Sequence, residues 1–380
     1  MTITLSIPES LKPEDGRFGS GPSKIRPEQI AALDAGATTL LGTSHRQAPV
    51  KQLVASIREG LREFFHLPEG YEVALGNGGA SAFWEIACAS LITRRAAFGT
   101  YGSFSAKFAA SAANAPFLED PVLFPGEPGT YHLPELTEGV DTYCWAHNET
   151  STGVAAPIRR VAGSREAGAL TVIDGTSAAG ALPVDISQTD VYYFSPQKAF
   201  GADGGLWVAI LSPEAIDRAA GVESSAHLEG AHRWVPPFLS LTTALNNSRK
   251  DQTLNTPAVA TLIMMENQIR WLNNNGGLAW ATTRCAKSAS ILYSWAERSE
   301  YAAPFVVDAD ARSNAVVTID LDARVQASQV LSILRENGIV DAAGYRKLGR
   351  NQLRVGVFPS VEPADVMAFT KCVDYVVEHL

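Results

Sequence analysis

The sequence predicts an α/β protein organised on a mainly parallel sheet, with its site at the carboxyl ends of the strands. Three observations carry that expectation. Short β-prone runs (Ala96–Tyr101, Thr142–Ala146, Leu170–Ile173, Val191–Phe194) alternate with longer helix-prone stretches. Several of these runs, and Leu206–Leu211 after them, are apolar at nearly every position, as strands covered on both faces are. Polar, chemistry-bearing residues then follow directly on strand ends: H-N-E-T after Ala146, Asp174 after Ile173, and Lys198 shortly after Phe194.

Taken in order, residues 1–15 read as an extended arm broken by Pro8 and Pro13. The glycines and prolines of Phe18–Pro27 impose an irregular path. Pro27–Leu41 is helix-prone and enters a polar loop, Gly42–Gln47, carrying His45 and Arg46. From Val50 to His66, Leu53, Ile57, Leu61, Phe64 and Phe65 recur on one helical face. Tyr71–Leu75 is a short strand running through the glycine-rich turn G-N-G-G-A-S into a helix. An alanine-rich helix follows Ala96–Tyr101 and reaches about Ala113, and Val122–Phe124 is a further strand. Ser195-Pro196 stops the Val191–Phe194 strand, because proline cannot continue the ladder.

Ala219–His232 is polar and is expected to be rich in loops. Arg249–Val259 is expected to be a loop before a helix that starts near Pro257, with Thr256 as its N-cap, and runs to about Leu272. N-N-N-G-G at Asn273–Gly277 punctuates. The remainder reads helix Thr282–Arg298, strand Val316–Asp320, helix Ala327–Asn337, strand Leu353–Gly356 and helix Pro363–Glu378. The expected division is an arm (1–15), a large domain (16–268) and a smaller α/β C-terminal domain (269–380), in keeping with a chain of 380 residues.

The net charge of -9, from 31 basic and 40 acidic residues, argues against a general nucleic-acid surface. The four cysteines are scattered with no C-x-x-C pair, so no zinc knuckle or disulfide framework is expected, and the residue pattern calls for no metal. The N-terminus lacks a signal-peptide pattern and no apolar run is long enough to span a membrane, which leads to a cytoplasmic expectation.

The chemistry centres on Val191–Trp207, V-Y-Y-F-S-P-Q-K-A-F-G-A-D-G-G-L-W. By itself this stretch admits two readings of Lys198: a solvated turn residue, or a buried amine whose lowered pKa lets it attack a carbonyl. Three further features bear on the choice. Asp174 sits at a strand end, the turn around Gly78–Ser81 opens a helix N-terminus suited to phosphate, and Phe104 follows another strand. Pyridoxal phosphate needs such a set: an amine for its aldehyde, a carboxylate for its pyridine nitrogen, amides for its phosphate and an aromatic face for its ring. Each feature alone has an ordinary structural explanation; their occurrence in this order favours the cofactor.

The same residues carry a resemblance. F-G-S-G-P, T-S-H-R, G-N-G-G-A-S, H-N-E-T, V-I-D-G-T-S, S-P-Q-K, L-N-T-P and G-Y-R, spread over nearly the whole chain, resemble the phosphoserine aminotransferase family, within the class V, fold-type I pyridoxal-phosphate aminotransferases. The resemblance implies a fold-type I transferase, with Lys198 as the Schiff-base lysine and proton shuttle. It implies Asp174 at the pyridine nitrogen, Thr150 on the ring-hydroxyl side and Phe104 on the ring face. Ala80, Ser81 and Gln197 would hold the cofactor phosphate, with Asn255 and Thr256 reaching it from a partner subunit of a homodimer. Arg354 would grip the substrate α-carboxylate, and His45, Arg46 and Arg346 the distal anion.

The implied reaction interconverts 3-phosphohydroxypyruvate and glutamate with O-phosphoserine and 2-oxoglutarate, in serine synthesis and also in pyridoxine synthesis through a phosphorylated hydroxythreonine. The chain departs from the commoner pattern twice: G-G-A-S-A stands where many relatives have G-G-G-R-G, and Tyr345-Arg346 where many have His-Arg. The alternative is another class V transaminase, of the serine or alanine–glyoxylate type, which would not need the distal-anion cluster.

Overall fold

The computed structural model describes residues 5–226 and 233–380. A seven-stranded sheet is formed by β1 (Glu72–Gly78), β2 (Ala96–Thr100), β3 (Val122–Pro125), β4 (Thr142–Ala146), β7 (Leu170–Asp174), β8 (Val191–Phe194) and β9 (Gly205–Leu211). Between β4 and β7 a small hairpin pairs β5 (Asn148–Glu149) with β6 (Val154–Ala155). The large sheet has the order β1-β9-β8-β7-β4-β2-β3. Strands β8, β7, β4, β2 and β3 are mutually parallel. Only β9 runs against its neighbours, so β1, antiparallel to β9, points the same way as the parallel strands. The carboxyl ends of β1, β2, β4, β7 and β8 therefore share one edge of the sheet.

The strands are apolar throughout because both faces are covered. Tyr192, Phe194, Val208 and Ile210 join the cluster with Ile57, Leu61 and Met265, whereas Val191, Tyr193, Trp207 and Ala209 face Phe83, Ile86 and Phe108. That alternation places α2 (Ala48–Phe64) and α7 (Val259–Asn274) on one face, and α3 (Ala80–Ser90) and α4 (Ser103–Asn114) on the other. On β1, Gly76 lies opposite Trp207, and a Cβ there would overlap the indole; the strand needs glycine at that point.

A second, antiparallel sheet has the order β10-β11-β12, from β10 (Ala302–Pro304), β11 (Val316–Leu321) and β12 (Gln352–Gly356). Its core joins Val317, Ile319, Leu353 and Val355 to Leu292 of α8 (Gly277–Arg298), Val330 of α9 (Ala327–Glu336) and Phe369 of α10 (Pro363–Glu378). The N-terminal arm lies on this unit: Ile7 and Phe18 are buried in its core, and the Ile7 N–H donates to Asn337 Oδ1 at 2.9 Å.

Three local expectations need correction, and one helix carried no expectation. Much of the stretch expected to be loop is helix α5 (Pro213–Ser225), which Ser212 caps by accepting from the Ala215 N–H at 3.1 Å, with Ala215, Ala219 and Val222 turned inward. The rest of that expectation, residues 227–232, lies outside the described residues. Helix α6 (Leu241–Ser248), capped by Ser240, went unread because its polar composition hides an inward Leu241, Ala244 and Leu245. Thr256 does not cap α7: the helix starts at Val259, and the Thr256 side chain lies with His45 instead. Helix α1 (Pro27–Ala35) stops at Gly36, short of Leu41.

Candidate active site

The site grows from the shared edge of the large sheet. Asp174 is the last residue of β7 and is held by its own turn: Oδ1 accepts the Thr176 N–H at 2.8 Å and Oδ2 faces the Trp84 indole N–H at 3.4 Å. After β8, Ser195 turns inward and donates to the Leu206 carbonyl at 2.7 Å, so that Lys198 comes back over the strand ends. The Lys198 amine is buried and donates to the Ser20 carbonyl at 2.6 Å. It shares that space with Gly21, where a Cβ would overlap the lysine side chain. The F-G-S-G-P segment is thus the cover of the lysine.

Lys198 and Asp174 line one cavity of about 180 Å³, together with Ala80, Ser81, Trp84, Phe104, Thr150 and Gln197. The N-terminus of α3 opens into it at Ala80, leaving first-turn amides free for an anion. Thr150 Oγ1 donates to Ser177 Oγ at 2.7 Å, and Asn148 Nδ2 reaches the same hydroxyl at 2.8 Å. Buried Asn148 Oδ1, Thr176 Oγ1 and Gln197 Oε1 have no hydrogen-bond partner. Unsatisfied buried acceptors are costly, so a cavity edged by them is one that a polar group completes.

Burial depresses the Lys198 amine from 10.5 to about 8, and the Arg354 charge pushes the same way, against Asp174 and Glu149. The amine is therefore half neutral, and nucleophilic, near pH 8 rather than near 10.5. When the apoprotein is mixed with a pyridoxal-type aldehyde, covalent capture should rise with pH about a midpoint near 8, and Arg354→Leu should move that midpoint upward. Absorbance titration checks this; a midpoint near 10.5, the ordinary lysine value, would contradict it.

Arg354 lies on β12, so the second sheet supplies it. Its Nη1 donates to the Thr150 carbonyl at 3.1 Å, while its buried Nε is without a partner. Burial lowers its pKa, partly offset by Tyr345 and Glu149. Besides Arg354, five expected residues are not among those lining the cavity. His45 Nδ1 lies 3.2 Å from Thr256 Oγ1, and the Thr256 carbonyl accepts from Asn77 Nδ2 at 3.0 Å. Asn255 and Arg46 are exposed beside them, and Arg346 is exposed on the other unit, in the turn Arg346–Leu348.

Sequence reasoning passed over several side chains that build this site. Trp84 stands one helical turn beyond Ala80, a spacing that puts it on the cavity side of α3. Glu149 is fully buried and accepts from the Phe104 and Ser105 N–H groups at 3.1 and 2.9 Å and from Ser105 Oγ at 2.9 Å. It caps α4 and so fixes Phe104. Ser177 had a signal in D-G-T-S, where it stands three residues after Asp174.

Fold, cavity and buried lysine define an aminotransferase of class V, and the profile of the family described as Aminotransferase class-V matches residues 18–348. The chain is 56% identical over 380 residues, 100% of both chains, to the phosphoserine aminotransferase of Rhodococcus opacus. It is equally similar, over the same shares, to that of Rhodococcus jostii. In fold it resembles the crystal structure of a phosphoserine aminotransferase from Cytophaga hutchinsonii, with a TM-score of 0.82 and 21% identity, covering 95% of this chain and 99% of that one. The chain belongs to the phosphoserine aminotransferase branch of the class V family.

Proposed function

We propose that the protein transfers the amino group of O-phospho-L-serine to 2-oxoglutarate, giving 3-phosphohydroxypyruvate and L-glutamate, and that it works in serine synthesis. A phosphorylated hydroxythreonine in pyridoxine synthesis is the second substrate of this reading. The observation that carries it is the placement of Lys198 and Asp174 in one cavity at the opening of α3, in a chain 56% identical to phosphoserine aminotransferases over its full length.

The residues present suit pyridoxal 5′-phosphate: a partly neutral buried amine, a carboxylate at a strand end, a helix N-terminus and unpartnered acceptors around one space. Bound there, the cofactor supplies an electron sink that makes the substrate Cα–H acidic. Lys198 would hold it covalently and, when freed, would move the Cα proton. Asp174 would keep the pyridine nitrogen protonated, Thr150 would face the ring hydroxyl, and Phe104 would cover the ring. Ala80, Ser81 and Gln197 would hold the phosphate.

Arg354 takes the α-carboxylate on its unused Nε edge, where a guanidinium can make two parallel bonds. His45, Arg46 and Arg346 receive the distal anion. Asn255 and Thr256, exposed and outside the cavity of their own chain, complete the phosphate site of a second copy in a homodimer. The working division remains 1–15, 16–268 and 269–380. A cytoplasmic setting belongs to this reading; among the described residues no helix is long and apolar enough to cross a membrane.

The test is a coupled assay of the purified protein with 2-oxoglutarate and phosphoserine, with serine and alanine alongside. The reading requires kcat/KM for phosphoserine to exceed both by on the order of 10²-fold or more, since the distal charge-assisted bonds contribute about 1.5–3 kcal/mol each. Equal rates with alanine would select the glyoxylate-type alternative.

A further inference from the structure

The Tyr345 side chain links the C-terminal unit to the start of α4, beside the cavity-lining Phe104. Tyr345 sits just after a stretch anchored to β12 by the Ala343–Leu353 bridge and by the Gly344 N–H, which donates to the Gln352 carbonyl at 3.2 Å. Its hydroxyl donates to Ser103 Oγ at 3.0 Å, on the first residue of α4 in the other unit. Its ring lies 5.8 Å from the Phe104 ring, tilted by 52°, and the Arg354 guanidinium carbon is 5.4 Å from the Tyr345 ring centroid. Arg354, Tyr345 and Phe104 thus form one continuous stack.

The far end of the stack is pinned from below. The Ser103 N–H donates to Ser151 Oγ at 2.9 Å, and Ser151 Oγ donates to Glu149 at 2.6 Å. Glu149 also caps the helix that carries Phe104. Arg354 has a second support in the Thr150 carbonyl, which leaves its Nε edge aimed by contacts on two sides and used by neither.

We propose that Tyr345 is a positioning residue: its hydroxyl, locked on Ser103, and its ring hold Arg354 and Phe104 in register, so that a substrate gripped by its α-carboxylate presents Cα to the cofactor. This deepens the functional reading above and rests on it for the roles of Arg354 and Phe104. Because the hydroxyl is committed to Ser103, Tyr345 serves the end that all amino-acid substrates share. It is not a ligand of the distal phosphate. A phenol also suits the place chemically: the guanidinium is attracted to the electron-rich face of the ring, and the phenol can reach Ser103 while keeping that face toward Arg354.

The experiment compares Tyr345→Phe, Tyr345→Ala, Ser103→Ala and the Tyr345→Phe/Ser103→Ala double variant in the holoenzyme, with phosphoserine and with glutamate. Tyr345→Phe keeps the stack and removes one hydrogen bond, so KM should rise about 3- to 10-fold, by the same factor for both substrates, with kcat nearly unchanged. Tyr345→Ala should cost about 10- to 100-fold in kcat/KM, and Tyr345→Phe should restore most of that loss. The double variant should be no worse than either single hydroxyl variant, because both remove the same bond.

A loss confined to phosphoserine would make Tyr345 a phosphate ligand and overturn the proposal. Unchanged KM for both substrates, or additive single effects, would overturn it too. If the parent enzyme converts glutamate but not phosphoserine, the functional reading fails instead, and the Tyr345 proposal is judged on glutamate alone.

Discussion

Lys198→Ala is expected to abolish turnover, lowering kcat by at least about 10⁴-fold, the upper end of what one positioned acid–base group supplies. The same substitution should remove the visible absorbance of lysine-bound cofactor while leaving the fold intact. The site explains why the effect should be this large. Among the described residues Lys198 is the one amine lining the cavity, its Nζ reaches the Ser20 carbonyl, and burial holds it near pKa 8. A neighbouring residue has no amine to offer in its place. Arg354 cannot substitute, because a guanidinium does not give up its proton. Added small amines should restore a fraction of the activity if the loss is chemical. A variant that retains both absorbance and turnover would remove Lys198 from the centre of the mechanism.

Asp174→Asn is the second large effect. The substitution keeps the shape, and the amide oxygen can still accept from the Thr176 N–H, now at 2.8 Å, while the amide NH2 comes to face the Trp84 indole N–H and gives up that longer, 3.4 Å contact. It removes the charge that would keep the cofactor's pyridine nitrogen protonated. Losing one partner of a buried ion pair costs about 3–5 kcal/mol, so kcat should fall on the order of 10²–10⁴-fold. Cofactor binding should weaken less, because the phosphate and covalent anchors remain. A stopped-flow half-reaction with glutamate separates the two: the step that moves the Cα proton should slow, and the absorbance of the loaded enzyme should change little. Undiminished half-reaction rates would show that the carboxylate is structural.

Much of the fold was legible because it depends on local pattern. Val191–Phe194 and Leu206–Leu211 are apolar at every position and are buried on both faces. The Gly78–Ser81 turn does open α3, and Asp174 does end β7. The errors arose where a helix hides its pattern. In α5 and α6 the inward face is mainly alanine and leucine among polar residues, and the caps Ser212 and Ser240 were the clearer signals. Thr256 had the right residue type for an N-cap, yet His45, far away in sequence, occupies its hydroxyl.

The site divides along the same line. Lys198, Asp174, Phe104 and Thr150 could be found because each stands at the end of a strand, or at the start of the helix that follows one, and chain order brings such ends to one edge of a parallel sheet. Glu149 and Tyr345 could not, since their roles exist only through partners on other elements: a helix terminus and a serine on the opposite unit.

By itself the sequence determined the α/β architecture and the family, and singled out the lysine, carboxylate and glycine-rich turn that line one cavity, because hydrophobic period, glycine placement and residue type act locally along the chain. Only the tertiary structure decided that Lys198 is a buried amine near pKa 8 under Gly21, that Arg354 keeps an unused edge, and that Tyr345 joins the C-terminal unit to α4. Desolvation and long-range hydrogen bonds set those properties, and both depend on what packs against a residue from elsewhere in the chain.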